Sequence, residues 1–372
     1  MPKVNSIMRL MKRIFPYLLI LLSFVFTIFF FHKSALTYKF DPILVKDYLR
    51  SQDIEDPMGA ILDRISMSDS DIYIATGYLY AKGESPTLHN FQHPPLMKYL
   101  FGFSTLMTEN PLYVQMFFGF VFLILTYFLG TKIFKNIWLA LLPTGLLLMD
   151  PVFSGMIEGA YLDLGQAVFA LLFIILALFY PKKYALQGVT LGLFAASKFW
   201  STAIIFVVLI YTFKILVKKE KIDYKKVIFS FAVAFLVFST IYLKAFIDGR
   251  RAFNIFAFLG RDLKFMMSHN SAGNFGGPIL LFLTGFFSPW WKSGVARALD
   301  WSILWPIGLI CSTILAIKSK FKGAESLIYL LPAVYLLFIS TGVPFTRYFL
   351  IILPFIYIGL TKLLFNRADS HK

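Results

Sequence analysis

The sequence predicts an all-α polytopic membrane protein, and three observations support that fold class. Of its 372 residues, 58% are hydrophobic and 18% are aromatic, more than a soluble chain of this length needs to fill its core. Apolar runs long enough to cross a bilayer recur along the whole sequence. Lys and Arg are concentrated in alternate loops between these runs.

The apolar runs predict about ten transmembrane helices in a single membrane-embedded domain, residues 1–372. The predicted spans lie near residues 14–31, 111–130, 137–149, 161–180, 184–197, 200–217, 226–246, 302–317, 326–341 and 345–363. Two large polar segments interrupt them, residues 32–110 and residues 247–301. Amphipathic helices lying on the membrane surface are expected in the first of these segments.

The net charge of +16 is interpreted as a topology signal. The loops on the side of the N-terminus carry mostly Lys and Arg, and their acids are Glu220, Asp223, Glu325 and Asp369. The positive-inside rule then predicts that both termini are cytoplasmic and that the two large segments are external. Nucleic-acid binding is not expected, because the charge forms no single patch.

The first large segment contains a run of polar residues with the pattern of a helix N-terminus. Ser68 precedes Asp71 by three positions, as in a capping arrangement, which puts Asp69 and Asp71 in the first helical turn. Tyr73 lies one turn after Asp69 and shares its face. Taken alone, the two acids are also what a helix dipole favours at its N-terminus.

The surrounding residues resemble a known family. An acidic pair with an aromatic residue four positions on, followed about twenty residues later by His-Pro-Pro-Leu-x-Lys, resembles the first external loop of the dolichyl-phosphate-mannose protein mannosyltransferases. Here these are Asp69-Ser70-Asp71, Tyr73 and His93-Pro94-Pro95-Leu96-Met97-Lys98. Further segments similar to this branch of the C-type (GT-C) membrane glycosyltransferases are Ala160 to Asp163, Leu191 to Trp200, and Thr346-Arg347-Tyr348. The family usually has Asp-Glu as its acidic pair, and it commonly has Arg where this chain has Glu158.

The resemblance implies an inverting glycosyltransferase that moves mannose or a similar sugar from a polyprenyl-phosphate carrier to a hydroxyl on the external face. The departing phosphate is already an anion, so the two carboxylates of a glycoside hydrolase are not required. One general base and a set of cations are sufficient. The acceptor is expected to be a protein, a glycolipid or a polysaccharide.

Roles follow for particular residues of this sequence. Asp69 or Asp71 is the expected base, and the expected acceptor- or sugar-binding residues are Asp163, Glu158, Tyr73 and His93. The expected partners of the donor phosphate are Lys198, Arg347, Arg250, Arg251, Arg261, Lys264 and Lys292. No cofactor or metal is expected to be obligatory, because His89, His93 and His269 lack the spacing of metal ligands. A nucleotide donor is disfavoured, since the sequence has no Gly-rich Lys-Ser/Thr phosphate loop.

Two other classes of protein fit a multi-pass chain. A secondary transporter or lipid flippase would have symmetric halves and acids at the middle of the membrane. The sequence shows no internal repeat, and its acids lie in loops and at the ends of spans. A non-catalytic membrane subunit would tolerate the loss of both Asp69 and Asp71.

Overall fold

The computed structural model describes residues 2–51, 67–248, 254–270, 275–289, 293–320 and 322–365. Within these ranges the regular structure is almost entirely helical. The strands there are a two-residue antiparallel pair, β1 (Phe286–Phe287) and β2 (Ala296–Arg297).

The helices follow one another through short connections. They are α1 (Pro2–Phe31), α2 (Lys33–Leu36), α3 (Ile43–Ser51), α4 (Asp69–Ala81), α5 (Leu96–Thr108), α6 (Tyr113–Ile133), α7 (Leu141–Leu148), α8 (Pro151–Glu158), α9 (Leu162–Phe179), α10 (Tyr184–Ser197), α11 (Trp200–Thr212) with a π-helical extension Phe213–Val217, α12 (Tyr224–Ile241), α13 (Leu243–Ile247), α14 (Ile255–Asn270), α15 (Gly277–Thr284), α16 (Leu304–Lys318), α17 (Ala324–Ile339), a 3-10 helix (Thr346–Ile351) and α18 (Leu353–Phe365).

Five of these helices are long and apolar enough to cross a membrane, and the bent pair α7–α8 makes a sixth. They are Ile14–Phe31, Tyr113–Ile133, Leu162–Phe179, Trp200–Val217 and Tyr224–Ile241. The helices α16, α17 and α18 are apolar but shorter. Each predicted span overlaps helical residues, although span 226–246 is divided between α12 and α13 and span 345–363 begins as the 3-10 helix. The count of ten stays a prediction.

Burial separates a central helix from peripheral ones. Within the protein, 72% of the Leu162–Phe179 span is buried, against 22% of Ile14–Phe31 and 22% of Tyr224–Ile241. The exposed side chains of the two peripheral spans are mainly Phe, Leu and Ile, which is the composition of a surface that faces lipid. Helix α9 is thus the axis of the bundle, and the elements that carry the polar residues pack around its N-terminal end.

A buried carboxylate holds the bend between α7 and α8, whose axes differ by 58°. Asp150 lies at the break, and its Oδ1 accepts hydrogen bonds from two backbone N–H groups of α8. Its Oδ2 accepts from Nε1 of Trp305 at 2.8 Å and from the hydroxyl of Tyr357. Four donors therefore satisfy this acid, as burial away from water requires.

Glycines let α10 pack closely on α12. A Cβ on Gly188 or Gly192, one turn apart on α10, would lie 2.5 or 2.6 Å from a backbone carbonyl oxygen of α12. Small residues at this spacing allow helix backbones to approach in a membrane. Gly192 belongs to the segment Leu191 to Trp200, which is similar to the family named above.

In the described part of the first large segment, α4 packs against both α3 and α5. The predicted cap of α4 is confirmed, since Oγ of Ser68 accepts a hydrogen bond from the Asp71 N–H at 3.2 Å. Helix α3 is the most exposed of these three helices, and its buried residue is Tyr48. Helix α4 is buried over most of its length, because it packs against both α3 and α5.

The crossing of α4 and α5 predicts a stability effect. A Cβ on Gly102 of α5 would overlap the backbone carbonyl of Gly77 in α4. We expect Gly102→Ala to lower the free energy of unfolding by about 1–3 kcal/mol, as overpacking does. The measurement is the apparent melting temperature of the purified protein in detergent. Gly145→Ala is the matched control, because a Cβ there meets no atom within 4 Å, and equal losses in both variants would contradict the prediction.

Candidate active site

The first acid of the Asp-Ser-Asp run is engaged by an arginine from far along the chain. Asp69 begins α4, and its Oδ2 accepts a hydrogen bond from Nη2 of Arg347 in the 3-10 helix, 278 positions away. The side chain of Asp69 is 42% exposed, whereas that of Arg347 is 15% exposed. The carboxylate of Asp69 is therefore accessible from outside the protein while the guanidinium lies beneath it.

The same arginine reaches a second carboxylate. Nε of Arg347 lies 3.7 Å from Oδ2 of Asp163, and Oδ1 of Asp163 accepts a hydrogen bond from Nζ of Lys198 at 2.5 Å. Asp163 and Lys198 are almost fully buried, and buried ions need such partners. Asp69, Arg347, Asp163 and Lys198 thus form a row of alternating charge, which we call the charge row.

Helix ends bring the charge row together. Asp163 lies in the first turn of α9, where the helix dipole favours a carboxylate. Lys198 directly follows α10. A hydrogen bond of 2.8 Å from the backbone N–H of Ala160 to Oγ of Ser70 ties the start of α4 to the segment before α9.

The second acid of the run has a different environment. Oδ2 of Asp71 accepts a hydrogen bond of 2.7 Å from the hydroxyl of Ser68, the residue that caps α4. Asp71 therefore belongs to the helix cap, and Asp69 belongs to the charge row. The sequence alone left the choice of base between these two acids open, and the geometry favours Asp69.

The ring of His93 packs between two aromatic rings close to the charge row. The ring of His93 contacts those of Tyr73 and Phe199, with centroids 5.9 and 5.0 Å apart. Burial lowers the pKa of His93 well below its usual value of 6.5, and the positive charge of Lys98 lowers it further. The imidazole is therefore neutral at neutral pH. Burial and the nearby Asp69 raise the pKa of Tyr73 well above 10, so the phenol is not a base.

The lysine of the His-Pro-Pro-Leu-x-Lys run holds the loop that precedes it. Nζ of Lys98 donates to the backbone oxygens of Asn90 and His93 at 2.5 and 2.8 Å, and to Oδ1 of Asn90 at 2.9 Å. Three oxygen acceptors match the three N–H groups of an ammonium ion. The fully buried Lys98 therefore anchors His93, a role that the sequence analysis did not assign.

A cavity of about 250 Å³ opens beside the charge row. Asp163, Lys198 and Arg347 line it together with Tyr348 and Gln166, and α14 contributes Asp262, Leu263, Met266 and Met267. Three of the lining residues carry a buried polar atom that has no hydrogen-bond partner among the described residues. These atoms are Oδ2 of Asp163, Oδ1 of Asp262 and Nε of Arg347. Nε of Arg347 and Oδ2 of Asp163 face each other at 3.7 Å as an ion pair. Unpartnered buried atoms are rare in proteins, and Oδ1 of Asp262 in particular indicates a site for a polar ligand.

Asp262 is a candidate that sequence reasoning missed. It is 3% exposed, and its Oδ2 accepts a hydrogen bond of 3.2 Å from Nε1 of Trp200. Burial raises the pKa of Asp262 to about 6, although the Trp200 hydrogen bond and the charge of Lys98 lower it. The sequence showed Asp262 only as an acid within the predicted external segment 247–301, which does not indicate a buried site residue.

An apolar groove of about 350 Å³ adjoins the cavity. Residues of α10, α11 and α12 form its walls, Leu259 of α14 adds to them, and Trp200 lines both the groove and the cavity. The cavity that holds the charged side chains and the apolar groove therefore share one side chain.

Other predicted site residues lie apart from the charge row. Glu158 pairs with Nδ1 of His32 at 2.9 Å and is half-exposed. Arg261 is exposed on α14, and its guanidinium stacks on Phe91 and Phe258, 4.9 and 5.3 Å from the ring centroids. Lys264 is exposed on the same helix. The predictions for Arg250, Arg251 and Lys292 lie outside the described residues, as does the side chain of His269.

A group of three or more potential metal ligands is not found among the residues that the structure describes. The charge row supplies two carboxylates, but both are paired with cations. The prediction that no metal is obligatory stays a prediction.

Comparison with protein-family models and with curated proteins gave no match. Among solved structures, the chain is similar to ArnT from Cupriavidus metallidurans bound to undecaprenyl phosphate, with a TM-score of 0.60 and 12% identity. It is also similar to the apo state of the same protein, with a TM-score of 0.52 and 12% identity. Both likenesses cover 87% of this chain, which spans 59% and 58% of the respective ArnT chains. The predicted GT-C-like fold of an integral membrane protein is thereby confirmed.

Proposed function

We propose that the chain is an inverting glycosyltransferase that moves a sugar from a polyprenyl-phosphate carrier to an acceptor hydroxyl on the non-cytoplasmic face of the membrane. One observation carries the proposal. The charge row joins an accessible carboxylate to a buried lysine and a largely buried arginine, and both cations line a cavity. This is the set of groups that such a transfer needs.

Residues of the charge row can remove the acceptor's proton and stabilise the leaving phosphate. The oxygen of the acceptor attacks the anomeric carbon while the bond from that carbon to the phosphate oxygen breaks, so the anomeric centre inverts. Asp69 takes the proton of the acceptor hydroxyl. The polyprenyl phosphate leaves as an anion, which Arg347 and Lys198 stabilise.

The protonation of Lys198 fits this role. Burial lowers its pKa to about 8, while the carboxylate of Asp163 opposes that shift. The ion pair with Asp163 therefore favours the ammonium form against the effect of burial. A bound phosphate would favour the charged form further, because an adjacent negative charge raises the pKa of a lysine.

The apolar groove supports a lipid carrier. It adjoins the cavity at Trp200 and is lined almost entirely by apolar side chains of α10, α11 and α12. A carrier with its phosphate at Lys198 would extend its prenyl chain past Trp200 into this groove. ArnT, whose fold is similar, was solved with undecaprenyl phosphate bound.

The alternative left by the sequence is a secondary transporter or flippase. Transporters place acids at broken helices near the middle of the bilayer to bind ions. The broken pair here carries Asp150, but four protein donors already occupy its oxygens. Asp163 begins its span instead of lying at its centre. Both observations favour the enzyme.

The test is turnover by the purified protein in nanodiscs. A short-chain polyprenyl phosphate carrying radiolabelled mannose is supplied, and release of bare polyprenyl phosphate together with labelled product is followed. We expect turnover that depends on the protein. Mannose rests on the sequence resemblance alone, so carriers with glucose or another sugar form a second arm. Silence with every carrier, in a protein that is folded and translocates lipid in vesicles, would overturn the proposal in favour of the flippase.

A further inference from the structure

The cavity divides the charge row into an outer and an inner part. Asp163, Lys198 and Arg347 line the cavity, whereas Asp69 contacts Arg347 without lining it in the described structure. Because the carboxylate of Asp69 is partly exposed, an acceptor reaches it from outside. The donor head group must then occupy the cavity, where the two cations are.

The lining of the cavity agrees with a charged head group. The cavity of about 250 Å³ is bordered by Asp163, Lys198 and Arg347, whereas the groove of about 350 Å³ is lined almost entirely by apolar side chains. The prenyl chain has the neighbouring groove. What remains to be bound inside the cavity, once the phosphate is at Lys198 and Arg347, is the sugar ring.

Asp262 has the chemistry for that ring. Its side chain is held at Oδ2 by Trp200, the residue shared by cavity and groove. Its Oδ1 is buried and has no partner in the described part of the chain. A buried acceptor without a partner is costly, and a sugar hydroxyl is a donor that would satisfy it.

We propose that Asp262 is a sugar-binding residue, which accepts a hydrogen bond from a ring hydroxyl of the lipid-linked donor in the cavity. This inference rests on the proposed function, because it takes the donor to be a polyprenyl-phosphate sugar. It adds a carboxylate outside the charge row that selects for the sugar and takes no part in proton transfer.

Asp262→Asn is the informative variant. Asn is nearly the same size, and its Oδ1 still accepts the hydrogen bond of Trp200, so the local packing is kept. The atom that replaces the unpartnered oxygen is an amide nitrogen, which donates and does not accept. Asp262→Ala removes both oxygens and serves as a second variant. Asp248→Asn is the control, since Asp248 is an exposed carboxylate paired with Lys244 and does not line the cavity.

The experiment compares dissociation constants for three probes: short-chain polyprenyl phosphate, and the same lipid carrying mannose or glucose. We expect the wild-type protein to bind at least one sugar-bearing probe more tightly than the bare phosphate. In Asp262→Asn and Asp262→Ala the affinity for that probe should fall by ~10-fold or more, the size of a hydrogen bond to a charged group. Affinity for bare polyprenyl phosphate should not change, and Asp248→Asn should match the wild type.

The outcomes separate this inference from the proposed function. If the wild type binds none of the three probes, the proposed function fails. If it binds all three equally, or if the Asp262 variants weaken bare phosphate and sugar-bearing probes alike, sugar recognition by Asp262 is overturned. An equal loss would mean that Asp262 only positions Trp200.

Discussion

Asp69→Asn is expected to reduce sugar transfer by at least about 10²-fold, because general-base catalysis typically contributes about 10²–10⁴-fold. The side chain keeps its size, and its amide oxygen can still accept a hydrogen bond from Arg347. What disappears is the ability to take the acceptor's proton. Binding of polyprenyl phosphate should persist, since Lys198 and Arg347 remain in place.

Asp71→Asn is the matched control for Asp69→Asn. The two acids lie two residues apart in the first turn of α4, but Asp71 is bonded to the capping hydroxyl of Ser68. We therefore expect near-normal transfer and a small loss of stability. The measurement is single-turnover transfer of radiolabelled sugar together with donor binding. A larger loss of rate in Asp71→Asn than in Asp69→Asn would show that the base was assigned to the wrong acid.

The helices could be predicted from sequence because their signals are local. The predicted span 184–197 has the same bounds as α10, and the predicted span 14–31 lies within α1 and ends at the same residue. An apolar run that must satisfy its backbone groups in lipid becomes a helix. The N-terminus of α4 was predictable for a similar reason, as Ser68 and Asp71 bond to one another across three residues.

The bend between α7 and α8 could not be predicted in the same way. The predicted span 137–149 ends where Asp150 and Pro151 begin, and the sequence suggests only that the helix stops. The chain continues within the protein as α8 because Trp305 and Tyr357 satisfy the carboxylate of Asp150. These partners are more than 150 positions away, and no local pattern reveals them.

The candidate site shows the same division. Its residues were predicted from motifs, but the pairing of Asp69 with Arg347, which separates Asp69 from Asp71, depends on tertiary contact. Asp262 was not predicted because an acid in an external segment is usually solvated. Its proposed role rests on burial against Trp200 and on the cavity that both residues line.

Substitution of Arg347 is the second change that we expect to reduce sugar transfer strongly. Its guanidinium bridges the outer and inner parts of the charge row, with Nη2 on Asp69 and Nε directed at Asp163. In the proposed mechanism, Arg347→Met removes a cation that stabilises the departing phosphate. We expect transfer to fall by about 10²–10³-fold, the loss found when one preorganised group that stabilises developing charge is removed. Affinity for polyprenyl phosphate should fall as well, which distinguishes this variant from Asp69→Asn.

Arg261→Met is the matched control for Arg347→Met. Both arginines were predicted from sequence to bind the donor phosphate, yet Arg261 is exposed and stacks on Phe91 and Phe258. We expect its loss to leave transfer near the wild-type rate. Arg347→Lys adds a third comparison, because lysine keeps the charge but lacks the planar fork that reaches two carboxylates. It should recover part of the donor affinity and little of the rate. Equal losses in Arg347→Met and Arg261→Met would mean that both cations attract the anionic donor in a general way and that the charge row is not the transfer site.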